Sequence, residues 1–295
     1  MSAPQPDLDR IVAIDVHTHV QASVDEADPT PSEGGKALAD YFGAPPVVPT
    51  IPDLAAFYRE RRMMCVAFPV NTSWATGREQ RVSNDEVCRQ AALAADVVIP
   101  FGSVDPHGGK AAAREIRRLA TEYPIKGIKF HPSSQAFFPD DRDTYPLYEA
   151  MEETGLIALF HSGQTGVGAR QRGGGGIRLK YSHPMCVDDV AVDFPDLKII
   201  LAHPSFPWQE EALAVAGHKP NVYIDLSGWS PKYFPPILVQ YARTLLKSKV
   251  LFGTDYPVLT PEKWLTEFDK LGFADDVRKL VLKDNAAKLL GLVAA

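Results

Sequence analysis

The string Ile14-Asp15-Val16-His17-Thr18-His19 ends an apolar run on two imidazoles. In an extended strand, residues i and i+2 point to the same face, so His17 and His19 present their rings together. Four later strings share the form: Lys129-Phe130-His131-Pro132, Leu159-Phe160-His161-Ser162, Leu201-Ala202-His203-Pro204 and Phe252-Gly253-Thr254-Asp255. Each closes a strand-like run on a residue that can bind metal or move protons, and a helix-like segment follows each.

The runs set the fold. Strands are expected over Ile11–Val16, Met64–Val70, Val97–Val104, Ile125–Phe130, Leu156–Phe160, Lys198–Ala202, Asn221–Leu226 and Val250–Gly253. Helices are expected over Asp53–Arg62 with Asp53 as cap, from the Ser83 cap to about Ala95, and over Lys110–Tyr123 and Tyr145–Thr154. Further helices are expected at Cys186–Phe194, Pro207–Gly217, Tyr233–Leu246, Pro261–Leu271, Asp275–Leu282 and Asn285–Leu292. Apolar runs without strict alternation mark strands buried on both faces, as in parallel sheets. Eight such strands alternating with helices predict a (β/α)8 TIM barrel of one domain over 1–295, elaborated by long βα loops. No Gly-x-Gly-x-x-Gly string follows the first strand, which disfavours a dinucleotide-binding sheet.

Two stretches break the rhythm. Residues 21–52 carry six prolines among Gly, Ala and acids and read as an irregular excursion, either over a site or as a surface insertion. Residues 162–182 hold Gly173 to Gly176 and the bases Arg170, Arg172, Arg178 and Lys180. Those guanidinium groups suit a carboxylate or phosphate, or else form a solvated basic loop. His183 closes this loop as a substrate contact or a structural histidine, and Trp229 is a candidate wall for an aromatic substrate.

A net charge of −6 gives no general attraction to nucleic acid or an anionic membrane, and no apolar stretch is long enough to span one. The N-terminal Met1–Arg10 is polar and shows no secretory pattern, and three scattered cysteines suit a reducing cytoplasm.

In a barrel of this kind the C-terminal strand ends build the active face. His17, His19, Lys129, His131, His161, His203 and Asp255 all fall there. Neutral imidazoles with one carboxylate suit Zn²⁺, and Mn²⁺ less well. Taken singly, His161 and His203 also read as buried histidines bonded to backbone, and Asp255 as a helix cap.

These strings, with Asp15-Val16-His17-Thr18-His19, Phe160-His161-Ser162-Gly163, Phe252-Gly253-Thr254-Asp255-Tyr256-Pro257 and the closing Asn285-Ala286-Ala287-Lys288-Leu289-Leu290-Gly291-Leu292, resemble the amidohydrolase superfamily. The chain is similar to the branch of aminocarboxymuconate-semialdehyde decarboxylase and related aromatic-acid decarboxylases and hydrolases. The resemblance implies one divalent ion held by His17, His19, His161 and Asp255, with His203 as acid/base. Lys129 as a carboxylated bridge to a second metal is the alternative, and Lys129 or His131 otherwise stabilises an oxyanion. It implies a small-molecule substrate and a homodimer. The reaction expected first is hydrolysis: metal-bound hydroxide attacks a carbonyl of a small, aromatic organic acid derivative. The string Asp225-Leu226-Ser227-Gly228-Trp229-Ser230-Pro231-Lys232 and the basic loop suggest an aryl β-ketoacyl-CoA. A non-oxidative decarboxylase of an aromatic or enoic acid is the alternative, and a catalytically inactive binding barrel is the third reading.

Overall fold

A computed structural model describes residues 4–43 and 45–293. Met1 to Ala3 of the polar N-terminal stretch lie outside the described residues. Eight strands form one parallel sheet in sequential order: β1 Ala13–His19, β2 Met63–Phe68, β3 Val98–Gly102, β4 Gly127–Phe130, β5 Ile157–His161, β6 Ile199–Ala202, β7 Val222–Asp225 and β8 Val250–Leu251. The sheet closes on itself through β1. Val16 N donates to Phe252 O at 3.0 Å, Asp255 N to His17 O at 2.9 Å and His19 N to Tyr256 O at 2.9 Å. These eight parallel strands make the expected TIM barrel.

The side chains sort into two layers. Ala13, Cys65, Ile128, Phe130, Phe160 and Leu201 face outward and pack on the surrounding helices. Ile14, Val16, Met64, Val66, Leu159 and Ile200 fill the barrel interior. Both faces of most strands are therefore apolar, which is why the runs show little polar alternation; β4 differs, with the buried Lys129 on its inner face.

β1 carries one irregularity that places the site. Asp15 pairs with Cys65 and Thr18 with Ala67, so β1 takes three steps where β2 takes two. An extra residue in a strand reverses the facing of everything after it. Val16 is an interior residue, yet its neighbour His17 also turns inward, its ring 5.0 Å from that of Phe68.

Two expectations change. Residues 21–52 are not irregular throughout: Glu33–Phe42 is a helix, capped by Ser32 and ended by Gly43 in the left-handed conformation. None of its residues is buried. The next helix, Ile51–Glu60, is capped by Thr50, whose side chain accepts from Asp53 N while Asp53 accepts from Thr50 N. Asp53 is thus the reciprocal member of a capping box, not the cap.

Candidate metal centre

His17 is fully buried, and its two nitrogens have separate partners. Nδ1 lies 2.9 Å from Asp225 Oδ2 at the end of β7. Asp225 Oδ1 meanwhile accepts from Ser227 N at 2.8 Å and His203 N at 3.3 Å. Every oxygen of Asp225 is therefore engaged, and a carboxylate at Nδ1 puts the hydrogen there and the lone pair on Nε2. That Nε2 faces Asp255 Oδ1 at 3.4 Å. His19 Nε2 reaches the same oxygen at 2.9 Å. The donor atoms of His17, His19 and Asp255 lie within 4.8 Å of one another. A second group of that spacing is His17, His203 and Asp225, in which the Asp225 carboxylate is already engaged by His17 Nδ1 and two backbone N–H groups.

Asp255 follows β8 with φ 66°, and His203 follows β6 with φ 70°. Positive φ is costly for residues bearing a Cβ, and strain of this kind gathers at functional sites. Gly228 allows both to approach. A Cβ there would stand 2.7 Å from His203 Nδ1 and 3.3 Å from Asp255 Oδ2. Burial alone would raise the Asp255 carboxyl, but the hydrogen bond from His19 and the neighbouring imidazoles outweigh it and hold it below the usual carboxylate range.

His203 links this group to β5. Its Nδ1 lies 3.0 Å from the Ser227 carbonyl oxygen, which can only accept, so Nδ1 carries the hydrogen. His203 Nε2 then accepts from His161 Nδ1 at 2.9 Å. This leaves the lone pair of His161 on Nε2, a buried atom with no hydrogen-bond partner. An orphaned buried donor site of this kind needs a partner the polypeptide does not supply. His17, His19 and Asp255 fit a divalent ion. His161 stands outside that group of donor atoms and offers its unpartnered Nε2 on the wall of the same cavity. Burial lowers the pKa of His17 to about 3 and that of His203 and His161 as well, so the rings stay neutral, as ligation requires.

Lys129 and His131 project from the end of β4 into the same space. Lys129 is fully buried with Nζ 3.2 Å from His17 Nε2. Burial brings its pKa down to about 8, against the pull of Asp225 and Asp255. The His131 ring stacks on His161 at 3.9 Å and 5°. Ser134 N donates to His131 Nδ1 at 3.3 Å, so His131 Nε2 carries the hydrogen, 3.3 Å from Thr165 Oγ1.

Asp15 forms the floor behind the donors. Its carboxylate accepts from Tyr58 Oη at 2.6 Å, Thr254 Oγ1 at 2.5 Å, Thr254 N at 3.0 Å and His17 N at 3.1 Å. It ties the backbone at His17 to the backbone beside Asp255. Burial still pushes its pKa up to about 7.

The donors open into a cavity of about 880 Å³. Its wall includes His17, His19, Lys129, His131, His161, His203 and Asp255, so all seven strand-end residues share one space. Arg170 and Trp229 also line it. Arg172, Arg178 and His183, expected to contact substrate, do not. Both arginines are exposed, and Arg178 instead offers its carbonyl to Ser133 Oγ at 3.1 Å. His183 packs beside Trp208 with ring centroids 4.6 Å apart. Asp225, Asp15 and Ser227 were not singled out for the site. Asp225 ends its strand as Asp255 follows β8, and that position was the available signal.

The fold resembles several solved structures. For 5-carboxyvanillate decarboxylase from Sphingomonas paucimobilis the TM-score is 0.68 at 19% identity, covering 95% of this chain and 99% of that one. For dihydroxybenzoic acid decarboxylase from Polaromonas sp. JS666, with bound manganese and the inhibitor 2-nitroresorcinol, it is 0.66 at 17%, covering 97% and 98%. For a probable 2-pyrone-4,6-dicarboxylic acid hydrolase from Acinetobacter baumannii with citric acid bound, it is 0.61 at 14%, covering 95% and 100%. No curated protein sequence matches the chain. The amidohydrolase family model (Amidohydro_2) matches residues 14–292, nearly the whole barrel and every strand-end donor, and the chain belongs to that family.

Proposed function

We propose that the chain is a metal-dependent carboxy-lyase that removes CO₂ without oxidation from an aromatic or enoic carboxylic acid. The observation that carries this reading is Lys129, a buried cation at the inner end of the cavity beside the donor group. A buried ammonium attracts an anion, so the reacting end of the ligand is read as a carboxylate. A carboxylate is a poor electrophile and is already the product of hydrolysis, whereas loss of CO₂ is chemistry open to it. The likeness to two aromatic-acid decarboxylases supports the same choice.

His17, His19, His161 and Asp255 would hold the ion. When bound, a divalent ion supplies Lewis acidity that orients the carboxylate and an adjacent oxygen and spreads their charge. The manganese in one similar structure supports Mn²⁺ alongside Zn²⁺. His203 is the proton carrier. Once its Nε2 parts from His161 Nδ1 and takes a proton from water, it passes that proton to the carboxyl-bearing carbon, which becomes tetrahedral. The C–CO₂ bond then breaks, its electron pair returns to the organic product, and CO₂ leaves. Lys129 and the His131 Nε2 hydrogen orient the carboxylate. Hydrolysis is the second reading, supported by the likeness to the pyrone dicarboxylic acid hydrolase.

Turnover of hydroxybenzoates and of carboxylated aromatic lactones in H₂¹⁸O and in D₂O separates the two. Decarboxylation releases CO₂ and leaves one deuterium and no ¹⁸O in the organic product. An organic product carrying ¹⁸O, with no CO₂ released, contradicts the proposal.

A further inference from the structure

The charge of the cavity opposes that of the chain. The protein carries −6 overall, yet the cavity wall holds Lys129, Arg170, Lys232 and Lys263 against one carboxylate, Asp255. Lys129 and Asp255 belong to the inner end. The other three cations come from three separate segments, those after β5, β7 and β8, and all are exposed.

None of the three pairs with a carboxylate among the described residues. Near Lys263 the acids are already engaged: Glu262 with Arg61 at 2.5 Å and Glu267 with Lys270 at 2.7 Å. Lys263 also stands in the first turn of helix Pro261–Asp269, where the helix dipole disfavours a cation. Its position works against local stability and adds to the positive potential at the mouth. Arg170 and Lys232 rest over the rings of Tyr41 and Tyr233 at 5.1 Å and 4.7 Å.

The wall also carries the apolar side chains Leu38, Phe42, Ile177, Trp229 and Val258, among polar ones such as Gln21, Thr72 and Gln164. Helix Glu33–Phe42 supplies two of these. It packs closely enough that a Cβ on Gly166 would meet Phe42 Cε2 at 2.6 Å. At about 880 Å³ the space lies in the upper part of the range that encloses drug-sized ligands, about 300–1,000 Å³. A single-ring acid fills only a fraction of it.

We infer that the substrate is an elongated dianion. Its carboxylate meets the inner end, its apolar body lies along Leu38, Phe42 and Trp229, and a second anionic group sits at the mouth among Arg170, Lys232 and Lys263. The inner end rests on the proposed carboxy-lyase reading; the mouth rests on the cations alone.

The test measures calorimetric affinity of the metal-loaded protein for benzoates with a 4-alkyl chain of about two to eight methylenes. Each chain ends in a carboxylate, a phosphonate or a methyl ester. At one or more lengths a dianion should bind about tenfold tighter than its ester at low salt, and the gap should narrow as salt shortens the screening length. Preference for carboxylate or phosphonate names the second group. Combining Arg170→Met, Lys232→Met and Lys263→Met should bring the dianion to the affinity of the ester and leave the ester within about twofold. Equal binding of dianion and ester at every length, or a gap that survives the triple substitution, overturns the inference. The gap is a ratio that needs no turnover. If it is present without CO₂ release from any acid, the carboxy-lyase reading fails and the anion-binding mouth stands.

Discussion

Asp225→Asn keeps the shape of a buried side chain and changes one proton. In the folded chain Asp225 Oδ2 accepts from His17 Nδ1 at 2.9 Å, and Oδ1 accepts from Ser227 N at 2.8 Å. The amide oxygen of asparagine can keep the Oδ1 bonds. Its amide nitrogen then faces His17 Nδ1, and two donors cannot meet there. The ring must carry its hydrogen on Nε2, the nitrogen that faces Asp255 and the proposed ion. Removal of such a supporting carboxylate costs about 10–100-fold in metal affinity, or about 1.4–2.7 kcal/mol. Competition between the protein and a chromogenic chelator for Zn²⁺ or Mn²⁺ measures it, with circular dichroism confirming that the variant is folded. A folded Asp225→Asn variant with the wild-type dissociation constant refutes the assignment of His17 Nε2 as a donor set by Asp225.

Gly228→Ala places a methyl group 2.7 Å from His203 Nδ1 at φ 73°, and turnover should fall by about a hundredfold or more, read in steady-state kinetics. Tyr58→Phe removes one donor from the buried Asp15 carboxylate and should cost about 1.5–3 kcal/mol in urea unfolding. On the surface, the hydrogen bond from Arg118 holds the Asp85 carboxyl below its ordinary value. Its contribution to stability is therefore complete above the unfolded pKa of about 4 and disappears as pH falls through the folded value. Acid titrations of the unfolding midpoint should show a shallower acid limb in Asp85→Asn than in the wild type.

The barrel was legible because its strands are buried on both faces, so most appear as apolar runs, five of them closed by a polar residue. The strand-end rule also collected the seven residues that share the cavity. It could not show the extra residue in β1, which turns His17 inward next to an inward Val16. Helix Glu33–Phe42 was hidden because it buries no side chain and begins with Gly34 and Gly35; its Ser32 cap and Gly43 stop were the available signals. Local reading placed the basic groups of residues 162–182 together as one ligand site. Chain folding keeps only Arg170 of them at the cavity and brings Lys232 and Lys263 from later segments. Sequence proximity carries no information about such groupings. Asp225 escaped notice as a supporting group because its role depends on which nitrogen of His17 it meets.

Crystals grown with Mn²⁺ or Zn²⁺ and measured at the absorption edge of the metal locate the ion directly. The expected result is a single anomalous peak in contact with His17 Nε2, His19 Nε2, His161 Nε2 and an Asp255 oxygen. A peak elsewhere, or none at full metal loading, would contradict the assignment of these four residues as the metal centre.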